Sequence, residues 1–254
     1  MRTRLLSSAF LVVSLLSSAS GAGEPIREYS YQIMEQRPHD TRLFTQGLTL
    51  NEGQFYESGG RYGQSRLVRY RATETRAELE KKLDGRLFAE GLTLLDGRLY
   101  LLTWKAQQLL VLDAESFQLK RTAVYQGEGW GLTHNSEQLI RSDGSSQLHF
   151  HKTDDFTLER SLEVTRAGRP VKRLNELEYI QGHIWANIWH SDKLVKIDPN
   201  SGQVLGQLDL SALAARHRAS GVLNGIAYDQ SRHGLWVTGK NWPRLYLLKL
   251  EPEL

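Results

Sequence analysis

The chain contains no cysteine among its 254 residues. This absence excludes disulfide bonds, cysteine-ligated metal centres and attachment of a lipid through a cysteine. The chain also lacks a strong excess of charge, because its formal net charge is only +3 and Arg2 and Arg4 supply two of these charges. The other 30 basic residues are interspersed among 29 acidic ones, which argues against a nucleic-acid-binding surface.

Long hydrophobic runs are missing except near the start. There, Arg2 and Arg4 precede "LLSSAFLVVSLLSS", which is short for a membrane span, and "SASGAG" follows with the small residues that a signal peptidase needs. We therefore expect residues 1–22 to be a signal peptide and the protein to be periplasmic or secreted. We expect residues 23–254 to form a single domain, monomeric and free of the membrane after cleavage.

The familiar short motifs of catalytic and metal sites are absent as well. The sequence has no G-x-S-x-G, no Walker A loop and no H-E-x-x-H. His149 and His151 alternate on one predicted strand, but no third ligand accompanies them. We therefore predict no metal site and no cofactor.

What the chain does have is an internal repeat. The segment "QGLTL" at residue 46 returns as "EGLTL" at 90 and "WGLTH" at 130, and more loosely as "NELEY" at 175 and "NGIAY" at 224. Each copy is followed by a polar turn and by three further short apolar runs. Four strands in a period of about 40 to 45 residues are typical of a β-propeller blade.

The sequence therefore predicts an all-β fold, a five-bladed β-propeller, with a β-sandwich or an open array as the alternatives. The run "REYSYQIME" at residues 27–35 is a further predicted strand, which would complete the last blade and close the ring. One helix is expected in "DLSALAARH", with Asp209 or Ser211 as its cap.

The repeat also indicates where a site lies, because the first strand of each propeller blade lines a central channel. The leading residue of the motif varies while its frame is kept, as expected of a site carried by a scaffold. These leading residues are Gln46, Glu90, Trp130, Asn175 and Asn224. We expect them to converge at one end of the channel, although Asn175 and Asn224 could equally be turn residues.

A second set of residues is expected near the same place. It consists of residues in loops after the second strand of a blade and of aromatics before the first strand: Trp104, Asp143, Trp189, Lys240, Phe44 and Phe88. One carboxylate, one ammonium, amides and an aromatic wall suit a small polar ligand with an apolar stem. Each residue also has a plain structural interpretation: Glu90 as an acceptor of backbone hydrogen bonds, Lys240 as a surface lysine, and a tryptophan as a packing residue.

Several of these segments resemble one known family. "FTQGL", "FAEGLT", "LTWK", "EGWGLT", "LNELEYI", "WANIW", "LNGIAYD" and "TGKNWPRLY" are similar, in order and spacing, to the glutamine cyclotransferase family of plants and bacteria. The resemblance covers residues 28–250. It implies a five-bladed β-propeller that converts an N-terminal glutaminyl residue of a peptide to pyroglutamate and releases ammonia, without a catalytic metal.

The resemblance also implies roles for individual residues. Glu90 matches the catalytic glutamate of the F-x-E-G motif. The pocket aromatics match Phe44, Phe88, Trp104, Trp130 and Trp189, and the polar binding residues match Gln46, Asn175 and Lys240. The reaction needs a group that moves a proton from the α-amine to the departing amide nitrogen, for which we expect Glu90. It also needs donors to an oxyanion, for which we expect Lys240 with Gln46 or Asn175.

Two other functions remain open from the sequence. One is a non-catalytic propeller that binds a peptide or a sugar on its face. The other is a metal-dependent propeller lactonase or hydrolase, which would need several acids at the axis where this chain offers one among five leading residues. Sensitivity to a chelator separates the metal-dependent alternative from the other two.

Overall fold

The computed structural model describes residues 25–74 and 76–253, and its regular secondary structure is almost wholly β-strand. The prediction of an all-β fold is confirmed. The expected signal peptide at residues 1–22 lies outside the described residues. No helix within the described ranges has the length and apolar character that crossing a bilayer requires.

The strands form five units of four, which we call sheet units 1 to 5. The first strand in the chain, β1 (Arg27–Pro38), belongs to the last unit. Unit 1 contains β2 (Thr45–Asn51), β3 (Gln54–Gly59), β4 (Arg66–Arg71) and β5 (Leu79–Lys82). Unit 2 contains β6 (Ala89–Leu95), β7 (Arg98–Thr103), β8 (Gln108–Asp113) and β9 (Leu119–Val124). Unit 3 contains β10 (Leu132–His134), β11 (Gln138–Ser142), β12 (Gln147–Lys152) and β13 (Leu158–Glu163).

Units 4 and 5 are joined in one eight-stranded sheet. A two-stranded hairpin that the sequence did not predict comes first, β14 (Thr165–Arg166) with β15 (Arg169–Pro170). Unit 4 contains β16 (Leu174–Ile180), β17 (His183–Ile188), β18 (Lys193–Ile197) and β19 (Val204–Asp209). Unit 5 contains β20 (Leu223–Asp229), β21 (Gly234–Gly239), β22 (Arg244–Glu251) and β1. Strand β1 pairs antiparallel with β22, and its first residues pair parallel with β19.

The expected helix between units 4 and 5 is short. It consists of α1 (Ser211–Ala214) and a 3₁₀ turn at Ala215–His217. The residue before it is Leu210, which gives no side-chain cap, so neither Asp209 nor Ser211 occupies the cap position. Asp209 still contributes, since its Oδ1 accepts the backbone N–H of Ser211 at 2.9 Å.

The apolar core is divided among the contacts between neighbouring units. Five clusters of buried side chains join units 1 and 2, 2 and 3, 3 and 4, 4 and 5, and 5 and 1. In the cluster between units 5 and 1, for example, Trp236 packs its ring edge-on against Phe55 at 5.5 Å. Each unit therefore buries its two faces against two different neighbours.

The first strands of the units also contact one another in sequence. Strand β6 contacts β2 and β10, and β16 contacts β10 and β20, while β20 contacts β2. This close approach explains the glycine after the leading motif residue, because a Cβ on Gly91 would lie 2.5 Å from the backbone nitrogen of Leu132. Unit 4 has Glu176 there instead. Its carboxyl oxygens accept the backbone N–H groups of Leu48 and Ile226, from two other first strands, at 3.3 and 2.9 Å.

The leading motif residue sits at an irregularity of its strand. The pairing of the first strand with the second shifts register around Gln46, Glu90, Asn175 and Asn224. A bulge redirects a side chain out of the regular alternation of a strand. The sequence frame therefore marks the place in each of these units where the strand is free to present a side chain.

Candidate active site

The nine residues to which the family resemblance assigns a role all line one cavity of about 300 Å³. They are Phe44, Gln46, Phe88, Glu90, Trp104, Trp130, Asn175, Trp189 and Lys240. Five come from the start of a first strand or the residues just before it, and a sixth, Trp130, comes two residues before β10. The other three, Trp104, Trp189 and Lys240, each follow the last residue of a second strand. Two equivalent places in successive units thus build the cavity.

The buried part of the cavity, which we call its floor, is polar. Glu90, Lys240, Gln46 and Asn175 are at most 6% exposed. The side-chain Nε2 of Gln46 donates to Oε1 of Glu90 at 3.2 Å. The amide oxygens of Gln46 and Asn175 are buried without a hydrogen-bond partner among the described residues. Unpaired buried polar atoms cost about 1–3 kcal/mol each, so this arrangement is unfavourable for folding alone and is typical of a functional site.

The two charged groups on this floor have shifted pKa values. Burial raises the pKa of Glu90 well above that of an ordinary glutamate, the charge of Lys240 opposes this rise, and the charge of Glu128 adds to it. Burial lowers the pKa of Lys240, against the effect of the charge on Glu90. The site thus holds a carboxyl group that is a stronger base than usual beside an ammonium that releases its proton more readily than usual.

The outer part of the cavity is an aromatic wall of partly exposed rings. Phe88 meets Trp104 edge-on at 5.5 Å, and Trp130 meets Trp189 edge-on at 5.4 Å. Phe44 lies 6.5 Å from Phe88, and Nζ of Lys240 lies 4.8 Å from the Phe44 ring centre. Such a wall accepts an aliphatic stem and shields the polar floor from water.

The sequence did not identify Arg61, which also lines this cavity. Its guanidinium carbon lies 4.3 Å from the centre of the Phe44 ring, and Nη2 donates to Oδ1 of Asn241 at 3.0 Å. It has a positive φ of 104°, which is unusual for a residue other than glycine. The repeat could have identified Arg61. It lies in the loop after the second strand of unit 1, and the corresponding loops of units 2 and 5 carry Trp104 and Lys240.

Gly60, next to Arg61, allows the outer opening of the cavity, which we call its mouth, to form. A Cβ on Gly60 would lie 2.3 Å from Cε1 of Phe88, so only glycine lets the Phe88 ring reach its place in the wall.

The sequence analysis also did not identify Glu128, although it precedes Trp130 by two residues. Its carboxylate accepts the indole N–H groups of both Trp104 and Trp130.

Two residues expected near the site are elsewhere. Asp143 does not line the cavity, and its Oδ2 is 2.9 Å from Nε2 of His149. Asn224 also lies outside it and donates from Nδ2 to the backbone oxygen of Thr45 at 2.9 Å, as expected for a scaffold residue. His151 stacks on Phe156 at 4.0 Å, which is a packing role. Within residues 25–74 and 76–253, no group of three or more acidic, histidine or cysteine side chains could hold a metal ion.

A second cavity, of about 650 Å³, lies at the other ends of the first strands. Thr49, Thr93, Thr133 and Glu178 line it, and it contains none of the predicted site residues. It is larger than the first cavity but lacks the aromatic wall. The nine residues to which the family resemblance assigns a role are thus all at the smaller cavity.

Comparison with known proteins agrees with this geometry. The family model described as glutamine cyclotransferase matches residues 6–250. A glutaminyl-peptide cyclotransferase of Arabidopsis thaliana is 36% identical over an alignment of 242 residues, and the match covers 92% of this chain and 76% of the relative. The crystal structure of a glutaminyl cyclase from Myxococcus xanthus superimposes with a TM-score of 0.84 and 39% identity, over 89% of this chain and 98% of that one. By its matching sequence and its matching structure, the chain belongs to the glutamine cyclotransferase family.

Proposed function

We propose that this protein is a glutaminyl-peptide cyclotransferase, which converts the N-terminal glutaminyl residue of a peptide to pyroglutamate and releases ammonia. The observation that carries the proposal is the buried carboxyl group of Glu90, next to Lys240 and Gln46, on the floor of an aromatic cavity. Family membership and the names of the two relatives support the same activity.

The shape of the cavity suits one glutaminyl residue. The side chain of glutamine has a short apolar stem and a polar carboxamide, and the cavity has an aromatic wall around a polar floor. Folding the stem back on itself brings the α-amine to the γ-carbonyl carbon. Rings that hold this bent conformation would supply much of the rate enhancement by positioning.

Glu90 would act as a proton shuttle. Its carboxylate accepts a proton from the α-amine as the amine attacks the γ-carbon and the new C–N bond forms. It then gives that proton to the departing amide nitrogen, the old C–N bond breaks, and ammonia leaves. The raised pKa of Glu90 suits both steps, because a general base and acid works best with a pKa near the working pH.

Lys240 and Asn175 are the best candidates to stabilise the tetrahedral oxyanion. Lys240 is the buried cation of the cavity, and its charge would oppose the developing negative charge. Between the two amides, Asn175 suits the role better, because Nε2 of Gln46 already donates to Glu90. Gln46 would then orient the catalytic carboxylate.

We further propose that the five sheet units are the blades of a five-bladed β-propeller. Two observations support this arrangement: the contacts of the five first strands return to their starting strand, and five apolar clusters join successive units, including the fifth and the first. In this arrangement β1 completes the fifth blade, next to β22. For the N-terminal segment we propose export by the Sec route, which fractionation of expressing cells would test.

The activity is tested by ammonia release from a glutamine-initiated dipeptide with a chelator present. Wild type should release ammonia and form the pyroglutamyl product, whereas Glu90→Gln should lose about two to four orders of magnitude in rate. Glu178→Gln is the matched control, since Glu178 is also a buried glutamate but lines the other cavity. A wild-type protein that binds the peptide and releases no ammonia would instead be a binding protein. Loss of activity with the chelator would contradict the metal-free mechanism.

A further inference from the structure

One carboxylate holds two tryptophans of the aromatic wall. Oε2 of Glu128 accepts the indole N–H of Trp104 at 2.6 Å and that of Trp130 at 2.9 Å. The two tryptophans belong to different sheet units, because Trp104 follows β7 and Trp130 precedes β10. A single oxygen atom therefore fixes the relative position of two parts of the cavity that come from separate sheets.

The segment that carries Glu128 is itself well anchored. The buried side chain of Arg141 donates to the backbone oxygen of Glu128 and, at 3.3 Å, to that of Gln126. The backbone N–H of Gly129 donates to the carbonyl oxygen of Trp104 at 3.1 Å. Because these hydrogen bonds hold the backbone on both sides of Glu128, its side chain can fix other groups in place.

Glu128 is not among the residues that line the cavity, so we expect it to affect a bound residue through the two rings that it holds. Its contacts direct both indole N–H groups towards Glu128. The polar groups that remain for a ligand are those of Gln46, Glu90, Asn175 and Lys240, with Arg61 at the mouth. Without an acceptor at Glu128, each indole N–H would lose its hydrogen-bond partner, and rotation of the ring towards another acceptor would become favourable.

We propose that Glu128 is a positioning residue, which sets the width of the substrate cavity by holding the rings of Trp104 and Trp130 and keeps their N–H groups away from the substrate carboxamide. The proposal rests on the proposed function for its kinetic consequences, but the placement of the two rings can be tested without activity. Phe88 and Trp189, which pack on these two rings, extend the effect to the rest of the wall.

Glu128 also has an electrostatic effect on the site. Its charge contributes to the raised pKa of Glu90, after the larger effect of burial. A neutral residue in its place should therefore lower the pKa of Glu90. The acid limb of the pH dependence of kcat/KM would then move to lower pH, a change that a merely structural role would not cause.

The experiment compares Glu128→Gln with Glu128→Leu. The two replacements are close in size, but only glutamine keeps an oxygen that can accept the indole N–H groups. We expect Glu128→Leu to lower kcat/KM by about 10- to 100-fold, mainly through a higher KM, and to change the near-UV circular dichroism of the tryptophans. Glu128→Gln should keep the wild-type spectrum and lose no more than a few-fold at the pH optimum, with its acid limb shifted to lower pH.

Glu115→Leu is the matched control, because the side chain of Glu115 is 82% exposed, and neither Glu115 nor its ion-pair partner Arg69 lines the cavity. It should resemble wild type in spectrum and kinetics. A Glu128→Leu protein with unchanged kcat/KM and unchanged spectrum would overturn the proposal, and so would equal losses in the leucine and glutamine variants. If wild type releases no ammonia, the proposed function fails, and the spectra of the two variants still decide whether Glu128 positions the rings.

Discussion

The side-chain amide of Gln46 donates to the carboxyl group of Glu90 at 3.2 Å, and the two residues occupy the same position of the repeat in neighbouring sheet units. One place in the repeat therefore supplies both the acid and the group that orients it. The five units share the frame of the repeat and differ in the side chain that they carry at this place. This is why a variable residue inside a constant frame was the most informative feature of the sequence.

The two amides of the floor should differ in their effect. Asn175→Ala should lower kcat by about tenfold or more, because it removes the proposed donor to the oxyanion. Gln46→Ala should lower kcat/KM through the loss of the bond that orients Glu90. Asn224→Ala serves as the control at the same repeat position, and it should lower the melting temperature while kcat is kept. Full activity in both the Asn175 and Gln46 variants would remove these residues from the mechanism.

Lys240→Met should affect both the rate and its pH dependence. The positive charge of Lys240 holds down the pKa of Glu90, so its loss should raise that pKa further. Because the free enzyme needs Glu90 ionised to accept the proton, the acid limb of kcat/KM should move to higher pH. The loss of an oxyanion contact should lower kcat by about 100- to 1,000-fold. A pH profile with the same dipeptide for both proteins measures the shift, and a shift to lower pH would contradict the predicted sign.

Gly60→Ala should widen or distort the aromatic wall. The new Cβ would lie 2.3 Å from Cε1 of Phe88, so the ring or the loop must move. We expect a higher KM with a smaller change in kcat. The matched control is Gly85→Ala, where the closest heavy atom to a Cβ is at 3.6 Å. Steady-state kinetics of the two variants decide the matter, and equal KM values would show that Phe88 does not limit binding.

Arg61 should select among substrates by their second residue. It lies at the mouth of the cavity and is exposed, and its guanidinium contacts the Phe44 ring and Oδ1 of Asn241, neither of which is charged. A guanidinium in this position favours a negative charge on the peptide as it leaves the cavity. Arg61→Gln should therefore reduce kcat/KM for Gln-Glu peptides about fivefold and for Gln-Lys peptides little. Equal losses for both peptides would show that Arg61 contributes to the aromatic wall and does not select substrates by charge.

A buried cluster outside the cavity should control stability. Glu57, which is fully buried, accepts hydrogen bonds from Thr45 at 2.7 Å and Tyr70 at 2.8 Å, and it pairs with His39 at 3.0 Å. Removing one partner of a buried pair costs about 3 kcal/mol or more, and Glu57→Gln should lower the free energy of unfolding by that amount. Denaturant unfolding measures this, with Glu115→Gln as an exposed control.

The same pair gives stability a pH dependence. Burial is the largest single effect on the pKa of His39 and acts to lower it. The charge and hydrogen bond of Glu57, the hydrogen bond with the carbonyl oxygen of Trp242 and the charge of Asp40 together outweigh burial, so the net pKa is raised above the ordinary 6.5. A raised pKa in the folded state means that the stabilisation is complete below pH 6.5 and is lost as the pH rises through the folded-state pKa. The melting temperature should therefore fall across that range in wild type and fall less in Glu57→Gln. A parallel decline in the two proteins would contradict this origin.

The sequence predicted the strands and nine of the ten residues that line the cavity, because both depend on local pattern and repetition, although Asp143 and Asn224 were also expected there and lie outside it. Short apolar runs between turns define the strands, and equivalent positions of a repeat must lie at equivalent places. It did not predict Arg61 or Glu128, since their roles arise from contacts between loops of different units. The predicted helix cap, Asp209 or Ser211, was wrong because polar residues are common near the start of a helix. The backbone conformation, which the sequence pattern does not give, places Leu210 at the cap position.

The pairing of β1 with β22 makes the order of synthesis differ from the order in space. The ribosome makes β1 before any other strand described here, yet its antiparallel partner is the last of them. Sheet unit 5, which contains both strands, cannot be completed until β22 has emerged, so until then unit 1 lacks the neighbour that covers one of its apolar faces. A circular permutant in which residues 25–38 follow β22 would make this sheet contiguous, and it should reach the native state faster while keeping the cavity unchanged.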